Sequence, residues 1–294
     1  MKIPNKDKPH ISASQILCYL QRPLQYYLQY ELGVFWEKYP SAILFGGAVH
    51  KGVEQINRGL MNGGIDIALA KTEFTVTWKD GTSKEEIAWK EDSSELYQKG
   101  GQLLELYANE MRRERPTEVE LPFRLPIVDP RTGLFISQRD FVGKIDAIFT
   151  DDTIVEIKTV GRSPVQQEVD QNIQITLYSW AYRMLYGKPE NTIKVVNLVK
   201  TMKPKIVVVE TKRTKRQHSW IIATIFQVIK GIEDKLFYPN PIGGFGCFNC
   251  QYQRHCQEDN DENYFLRQHG GNAGRIDRGD GSGGRTSEGL AESY

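Results

Sequence analysis

The stretch 141–159 constrains the fold more than any other part of the sequence. It reads FVGKIDAIFTDDTIVEIKT, in which two runs of apolar and β-branched residues flank a polar turn. This pattern predicts a β-hairpin, because β-branched residues favour strands and Asp-rich segments favour turns. A three-residue loop, 150–152, needs a left-handed residue at its end, a conformation that Asp152 tolerates.

The register of this hairpin decides whether its polar side chains meet. With the three-residue loop, Asp146 faces Glu156 and Lys144 faces Lys158 across the strands. A two-residue loop would instead pair Asp146 with Ile157 and turn the two acids to opposite faces. Opposed carboxylates have Cβ atoms about 5 Å apart, and they repel each other unless a cation lies between them.

Such a pair of acids favours Mg²⁺ or Mn²⁺, because both ions prefer oxygen ligands. Lys158 lies two residues after Glu156 and therefore on the same face, where its ammonium would orient or deprotonate a water or offset charge on a phosphate. The alternative is a solvated sheet face on which these residues form ordinary ion pairs. The apolar runs around Asp146 and Glu156 favour central strands, which argues against free exposure.

The rest of the chain predicts one mixed sheet flanked by helices. Ser12 and Gln15 form a capping-box pattern ahead of a short helix. Further helices are predicted near 23–33, 45–60, 103–111, 165–186 and 215–236. The region 119–160 reads as a mostly antiparallel meander, and strands at 194–199 and 206–210 follow the long helix. This order predicts an α/β sandwich with one mixed sheet.

The composition is that of a globular protein. With 39% apolar and 26% charged residues, a chain disordered throughout is excluded. No window approaches eighteen apolar residues and the amino terminus has no apolar core of a signal peptide, so we expect a cytoplasmic protein without a membrane span. The formal charge of +1 neither supports nor opposes a nucleic-acid partner. We expect the folded domain to cover 1–268 and the Gly-rich stretch 269–294 to be a disordered tail.

Three of the four cysteines, Cys247, Cys250 and Cys256, lie close together after a Pro/Gly-rich lead-in. Four cysteines are too few for a disulfide framework in a chain of this length, and the clustering favours a metal site. A zinc site would take either Cys18 or His255 as its fourth ligand. Free thiols are the remaining alternative.

Together these pieces resemble the PD-(D/E)XK nucleases, in particular the RecB-like branch with AddB-type helicase-nucleases and CRISPR-associated iron-sulfur exonucleases. The resemblance spans about 11–256 and rests on ISASQILCYLQRPLQYYL, GGAVHKGVE, GKID, VEIKT, QITLY and CFNCQYQRHC. It implies a restriction-endonuclease-like core in a cytoplasmic protein of bacterial, archaeal or phage origin. DNA is the implied substrate, and a helicase or another recombination or CRISPR-type protein is an implied partner.

The resemblance also assigns roles to individual residues. The implied ligands of Mg²⁺ or Mn²⁺ are His50, Asp146, Glu156 and the backbone carbonyl of Ile157. The implied catalytic residues are Asp146, Glu156, Lys158, Gln174 and Tyr178, with Lys158 assisting the attacking water. Gln174 and Tyr178 share a helix face, although the same spacing fits a plain amphipathic helix, and His50 alone fits an ordinary helix histidine.

The terminal cysteines resemble the iron-sulfur module of that family, in which an early cysteine joins three late ones and links the ends of the domain. The implied cluster, of the [4Fe-4S] type, would take Cys18, Cys247, Cys250 and Cys256, with Zn²⁺ as the alternative. This chain departs from the pattern, because Arg22 stands where the early cysteine usually precedes the proline. Cys18 lies one helical turn earlier, about 5–6 Å away at Cβ.

Two basic segments near 200–205 and 212–216 are candidates for phosphate contacts, with Trp220 nearby for base stacking. Their candidate residues are Lys203, Lys205, Lys212, Arg213, Lys215 and Arg216. The plainer interpretation is a hairpin tip and a solvated helix start. The acids, Lys158 and the resemblance together predict a metal-dependent deoxyribonuclease, and the resemblance alone implies an exonuclease on single-stranded or frayed DNA. The alternative is a catalytically silent DNA-binding or assembly subunit that keeps the nuclease fold.

Overall fold

The computed structural model describes residues 9–34, 38–84, 86–129, 132–240, 250–252 and 255, so the predicted tail lies outside the described residues. The strands are β1 (His10–Ser12), β2 (Tyr39–Pro40), β3 (Ile87–Ala88), β4 (Pro116–Val128), β5 (Phe135–Phe149), β6 (Ile154–Val160), β7 (Ile193–Val199) and β8 (Lys205–Thr211). The helices are α1 (Ala13–Gln21), α2 (Pro23–Tyr26) with a π-helical turn after it (Tyr27–Glu31), α3 (Ser41–Met61), α4 (Ile67–Lys84), α5 (Ser93–Met111), α6 (Gln166–Asp170), α7 (Ile173–Tyr186) and α8 (Lys215–Glu233).

β5 is the strand around which the six-stranded sheet is built. β4 pairs antiparallel along one edge of β5. The other edge is shared, because β6 pairs with residues 147–148 and β1 with residues 140–142. β7 then lies parallel to β6, and β8 antiparallel to β7. The sheet is therefore mixed, as predicted, and residues 143–146 of β5 separate the pairing sites of β6 and β1.

The hairpin between β5 and β6 has the predicted three-residue loop. The Phe149 N–H donates to the Thr153 carbonyl at 2.9 Å, and Asp152 adopts a left-handed φ of 64°. The next described pairs continue the same register through Ala147 opposite Val155. The turn chemistry read from the sequence is confirmed.

Beyond this point β6 leaves β5. The Ile157 N–H donates to Oδ2 of Asp146 at 2.7 Å, so the side chain of β5 takes a bond that a backbone carbonyl would otherwise accept. Asp146 and Glu156 lie at the start of the split, as the register requires. The predicted pairing of Lys144 with Lys158 is wrong, because the ladder between these two strands ends before it reaches them.

Two apolar clusters cover opposite faces of the sheet. Helices α1, α7 and α8 pack on one face, and α3, α4 and α5 pack on the other. Ile154 of β6 belongs to the first cluster, whereas Val155 and Ile157 belong to the second. Side chains alternate along a strand, so Glu156 and Lys158 face the side covered by α7.

Several elements differ from the sequence prediction. The long helix predicted at 165–186 is two helices, because Asn172 caps α7 by accepting from the Ile175 N–H at 3.2 Å. Helix α4 was not predicted, since it buries only Ala70, Phe74 and Trp78 and carries a weak apolar stripe. The capping box of Ser12 is confirmed. Among the described residues, no helix is long and apolar enough to cross a bilayer.

Candidate active site

α3 brings a histidine onto β6. Gly46 faces this strand so closely that an added Cβ would lie 3.1 Å from the Thr159 hydroxyl. One turn later on the same helix, Nε2 of His50 lies 3.0 Å from the carbonyl oxygen of Ile157. These two atoms are both metal ligands implied by the resemblance, and they meet although 107 positions separate them in sequence.

Carboxylates converge on the same place. Candidate ligand atoms of His50, Glu120 and Asp146 all lie within 4.8 Å of one another. Glu156 is not part of this three-residue group, but it lies where β6 separates from β5 and is only 2% exposed. Its Oε2 is buried without a hydrogen-bond partner among the described residues.

Glu120 is the member of this site that the sequence pattern did not single out. Its neighbours on β4, Val119 and Leu121, pair with Ala147 and Ile145, so Glu120 lies opposite Asp146. Its φ is 54°, a left-handed conformation in the middle of a strand. A non-glycine residue there costs roughly 1–3 kcal/mol, and such strain is concentrated at functional sites. No pattern of residue types in the sequence signals it.

Lys158 is held beside the acids by an amide. Its ammonium lies 2.5 Å from Oε1 of Glu156 and donates to Oε1 of Gln174 at 2.7 Å. The Gln174 amide nitrogen donates to Glu156 Oε1 and to the Tyr178 hydroxyl, at 3.0 Å each. The structure thus brings together all four of these predicted residues, with Gln174 as the bridge.

The electrostatics of the site suit a bound cation. Burial raises the pKa of Asp146 to about 7, and burial with repulsion from Asp146 raises the pKa of Glu156 to about 7. Burial also lowers the pKa of His50, which keeps the imidazole neutral near pH 7. Carboxylates that are short of positive charge, a neutral imidazole and a carbonyl form a donor set that fits Mg²⁺ or Mn²⁺.

The family model of the PD-(D/E)XK nuclease superfamily matches residues 10–257. The chain belongs to this superfamily. No curated protein matches it. Among solved structures, this nuclease is similar to a protein from Eubacterium rectale whose exonuclease assignment is provisional, with a TM-score of 0.55 and 13% identity over 87% of this chain and 93% of that one. That similarity supports the fold.

Two further structures are more distant from this nuclease. SSO0001 has a TM-score of 0.41 and 13% identity over 86% of this chain and 88% of that one. LHK-Exo in complex with dAMP has a TM-score of 0.27 and 14% identity over 64% of this chain and 91% of that one. Both scores are too low to support an inference.

The C-terminal segment of this nuclease reaches the N-terminal helices. Tyr252 packs with Leu24 and Leu28, and Cys250 packs against the same group. Burial raises the pKa of the Cys18 thiol to about 11, and the guanidinium of Arg22 lies 4.0 Å from Sγ of Cys250. Cys247 and Cys256 lie outside the described residues. The cluster that would join the two ends therefore stays a prediction.

The basic segments predicted to contact phosphate lie at opposite ends of β8. Lys203 is exposed in the turn before this strand, and Lys205 begins it. Lys212, Lys215 and Arg216 are exposed after its end. The length of β8 therefore separates the two basic segments.

Arg213 does not fit the predicted phosphate contact. It is 4% exposed, and its guanidinium donates to the hydroxyls of Thr176 and Thr211 and to the Val169 carbonyl. Its charge is thus used to join α6, α7 and β8. Trp220 on α8 is 55% exposed and stays a candidate for stacking.

Proposed function

We propose that this nuclease is a divalent-metal-dependent deoxyribonuclease. The observation that supports the proposal best is the meeting of His50, the Ile157 carbonyl and Asp146 where β6 leaves β5, with Lys158 alongside. The hairpin of β5 and β6 and the distant helix α3 supply these groups. A solvated sheet face with ordinary ion pairs does not account for buried acids of raised pKa.

The residues present would divide the chemistry as follows. His50, Asp146, Glu156 and the Ile157 carbonyl would hold Mg²⁺ or Mn²⁺, with Glu120 as an additional carboxylate. When bound, the cation would polarise the phosphodiester and lower the pKa of the attacking water. Lys158 would orient that water or offset charge on the phosphate, and Gln174 fixes the position of its ammonium. Tyr178 supports Gln174.

We further propose an exonuclease that acts on single-stranded or frayed DNA, on the basis of the family resemblance. The position of the β7–β8 turn favours a path for the DNA strand along one end of the sheet. The Lys200 N–H donates to the Val160 carbonyl, which places this turn beside the end of β6 that carries Lys158. Lys203 and Lys205 are the basic residues at that end, so we expect them to contact phosphates.

The test is degradation of 5′- and 3′-labelled single strands with Mg²⁺ or Mn²⁺. Asp146→Asn and Lys158→Ala should each lower the cleavage rate by about 10²–10⁴-fold. Lys194→Ala is the matched control, because this lysine is also partly buried and pairs with Glu114 at 3.0 Å one strand away. It should cleave at the wild-type rate.

The outcome of this assay separates the proposal from its alternative. Wild-type protein that binds the strand tightly and leaves it intact with either cation would show a catalytically silent DNA-binding or assembly subunit. Equal cleavage by wild type and Asp146→Asn would also contradict the proposed site. The two labels report whether digestion starts at one end.

We also propose that the late cysteines bind an iron-sulfur cluster with Cys18, and that zinc is the competing occupant. Burial is the main cause of the raised pKa of the Cys18 thiol, and the nearby Cys250 adds to it, which supports a shared site. Iron and sulfide analysis with broad visible absorbance in anaerobically purified protein is the test, and Cys250→Ser should abolish both signals. A colourless preparation that contains zinc would show that zinc, and not an iron-sulfur cluster, occupies the site.

A further inference from the structure

Lys144 lies at the exposed edge, or entrance, of the metal site and forms an ion pair with one of its acids. It precedes Asp146 by two residues on β5, and its ammonium forms an ion pair with Oε2 of Glu120. The lysine side chain is 50% exposed, whereas the glutamate side chain is 11% exposed. Glu120 in turn belongs to the group with His50 and Asp146. The ammonium therefore neutralises a carboxylate that would otherwise be available to a metal ion.

We propose that Lys144 is a substrate-binding residue that Glu120 holds until a divalent cation is bound. In the absence of the cation, the ammonium satisfies Glu120. When Glu120 coordinates the cation, Lys144 is released and binds a phosphate of the DNA strand at the entrance. This inference rests on the proposed function, and it adds a coupling between metal loading and substrate binding.

The charges of the site support this exchange. With its acids ionised, the site has Glu120, Asp146 and Glu156 against Lys144 and Lys158, which leaves one net negative charge next to an anionic substrate. A divalent cation reverses that sign. It also repels the nearby ammonium and reduces the attraction of Glu120 for it. A lysine freed at half exposure then has a phosphate as its available partner.

Lys158 does not have this freedom. Its side chain is 33% exposed and is held by Glu156 and by the Gln174 amide. In the part of the chain that the structure describes, the single ion-pair partner of the Lys144 ammonium is Glu120. Among the two lysines of the described site, Lys144 is therefore the one that can leave its acid without breaking the bridge made by Gln174.

The test compares wild type with Lys144→Ala and with Lys51→Ala as the matched control. Lys51 follows His50 on α3 and is 51% exposed, but it pairs with Glu54, which is not in the metal group. Mn²⁺ affinity is measured by calorimetry. Affinity for a labelled oligothymidylate is measured by anisotropy at several salt concentrations with and without Ca²⁺, which takes the same oxygen ligands, and gels check that the strand stays intact.

Two changes of opposite sign are expected for Lys144→Ala. Mn²⁺ should bind about two- to fivefold more tightly, because the competing ammonium is gone. With Ca²⁺ present, DNA should bind about three- to tenfold more weakly, and the salt slope should fall by about 0.7. Without a divalent cation the salt slope should not change. Lys51→Ala should leave the Mn²⁺ affinity and the Ca²⁺-dependent gain in DNA affinity unchanged.

The remaining outcomes overturn one claim or the other. Unchanged or weaker Mn²⁺ binding in Lys144→Ala would reduce the pair to a surface ion pair, and equal effects in Lys51→Ala would show a general effect of charge. Either result leaves the proposed function intact if Asp146→Asn abolishes Mn²⁺ binding. If wild type binds no Mn²⁺, or Asp146→Asn binds it as well as wild type, the proposed function itself fails.

Discussion

Two buried glutamates, Glu156 and Glu190, accept hydrogen bonds from side chains of α7, and the helix gives them different numbers of donors. Glu156 is 2% exposed and Glu190 is 8% exposed. Glu190 accepts two bonds from the Arg183 guanidinium, at 2.8 and 3.0 Å, and one from the Ser179 hydroxyl at 2.6 Å. Although burial raises its pKa, these bonds bring the pKa of Glu190 below its ordinary value.

Glu156 receives less from its surroundings. Within the described ranges only Oε1 has partners, the Lys158 ammonium and the Gln174 amide, and burial keeps the pKa of Glu156 raised to about 7. A guanidinium binds a carboxylate in a planar two-point contact, whereas an ammonium acts as a single point charge. A buried acid with complete partners therefore stabilises the fold, whereas one left with an unpartnered oxygen is suited to a cation.

The largest expected effect that tests this comparison is on stability. Glu190→Gln should lower the free energy of unfolding by about 3 kcal/mol, because it removes the buried charge that pairs with the partly buried Arg183. Glu156→Gln should raise it by about 1 kcal/mol without metal at a pH above 7, since ionised Glu156 destabilises the folded state there. Urea unfolding of the two variants and wild type is the measurement. Similar losses in both variants would remove the distinction.

The next effect is the pH dependence of stability that His218 causes in the cluster around Glu190. Nε2 of His218 lies 2.8 Å from the Ser179 hydroxyl, and burial, with the charges of Arg183 and Arg213, lowers the pKa of this histidine to about 4. Between about pH 4 and the ordinary value of 6.5, the unfolded chain binds a proton that the folded chain does not. Stability should therefore fall by about 1–2 kcal/mol as the pH decreases through this window.

His218→Gln isolates this contribution, because the raised pKa values of the metal-site acids act in the opposite direction with pH. The difference in unfolding free energy between wild type and this variant should be constant above pH 6.5 and change below it. A constant difference over the whole range would show that the histidine has the same pKa in the folded and unfolded chains.

The smallest effect distinguishes two strained residues. Glu120 and Lys235 have left-handed φ values of 54° and 56°. Glycine adopts this conformation without strain, so Glu120→Gly and Lys235→Gly should each raise the free energy of unfolding by about 1 kcal/mol. Only Glu120→Gly should weaken Mn²⁺ binding in calorimetry. Loss of stability in Glu120→Gly would contradict the strain at this residue, and unaltered Mn²⁺ binding would remove Glu120 from the site.

The parts of the fold that were predicted correctly depend on neighbours in sequence. The three-residue loop before Thr153 and the capping box of Ser12 are examples, because turn and cap chemistry act over three or four residues. The break at Asn172 was missed, since the apolar spacing continues through it. Arg213 was misjudged for a related reason: its charge suggests the surface, but the packing of α6, α7 and β8 surrounds it.

The sequence by itself determined the hairpin, its register and the chemical types at its polar positions, because strand period and turn chemistry are local properties. Only the tertiary structure decided that β6 leaves β5 beside Asp146 and that α3 places His50 on Ile157. It alone added Glu120, through a strained φ on a third strand. These positions depend on how helices pack on both faces of the sheet, and packing between distant segments leaves no periodic signal in the chain.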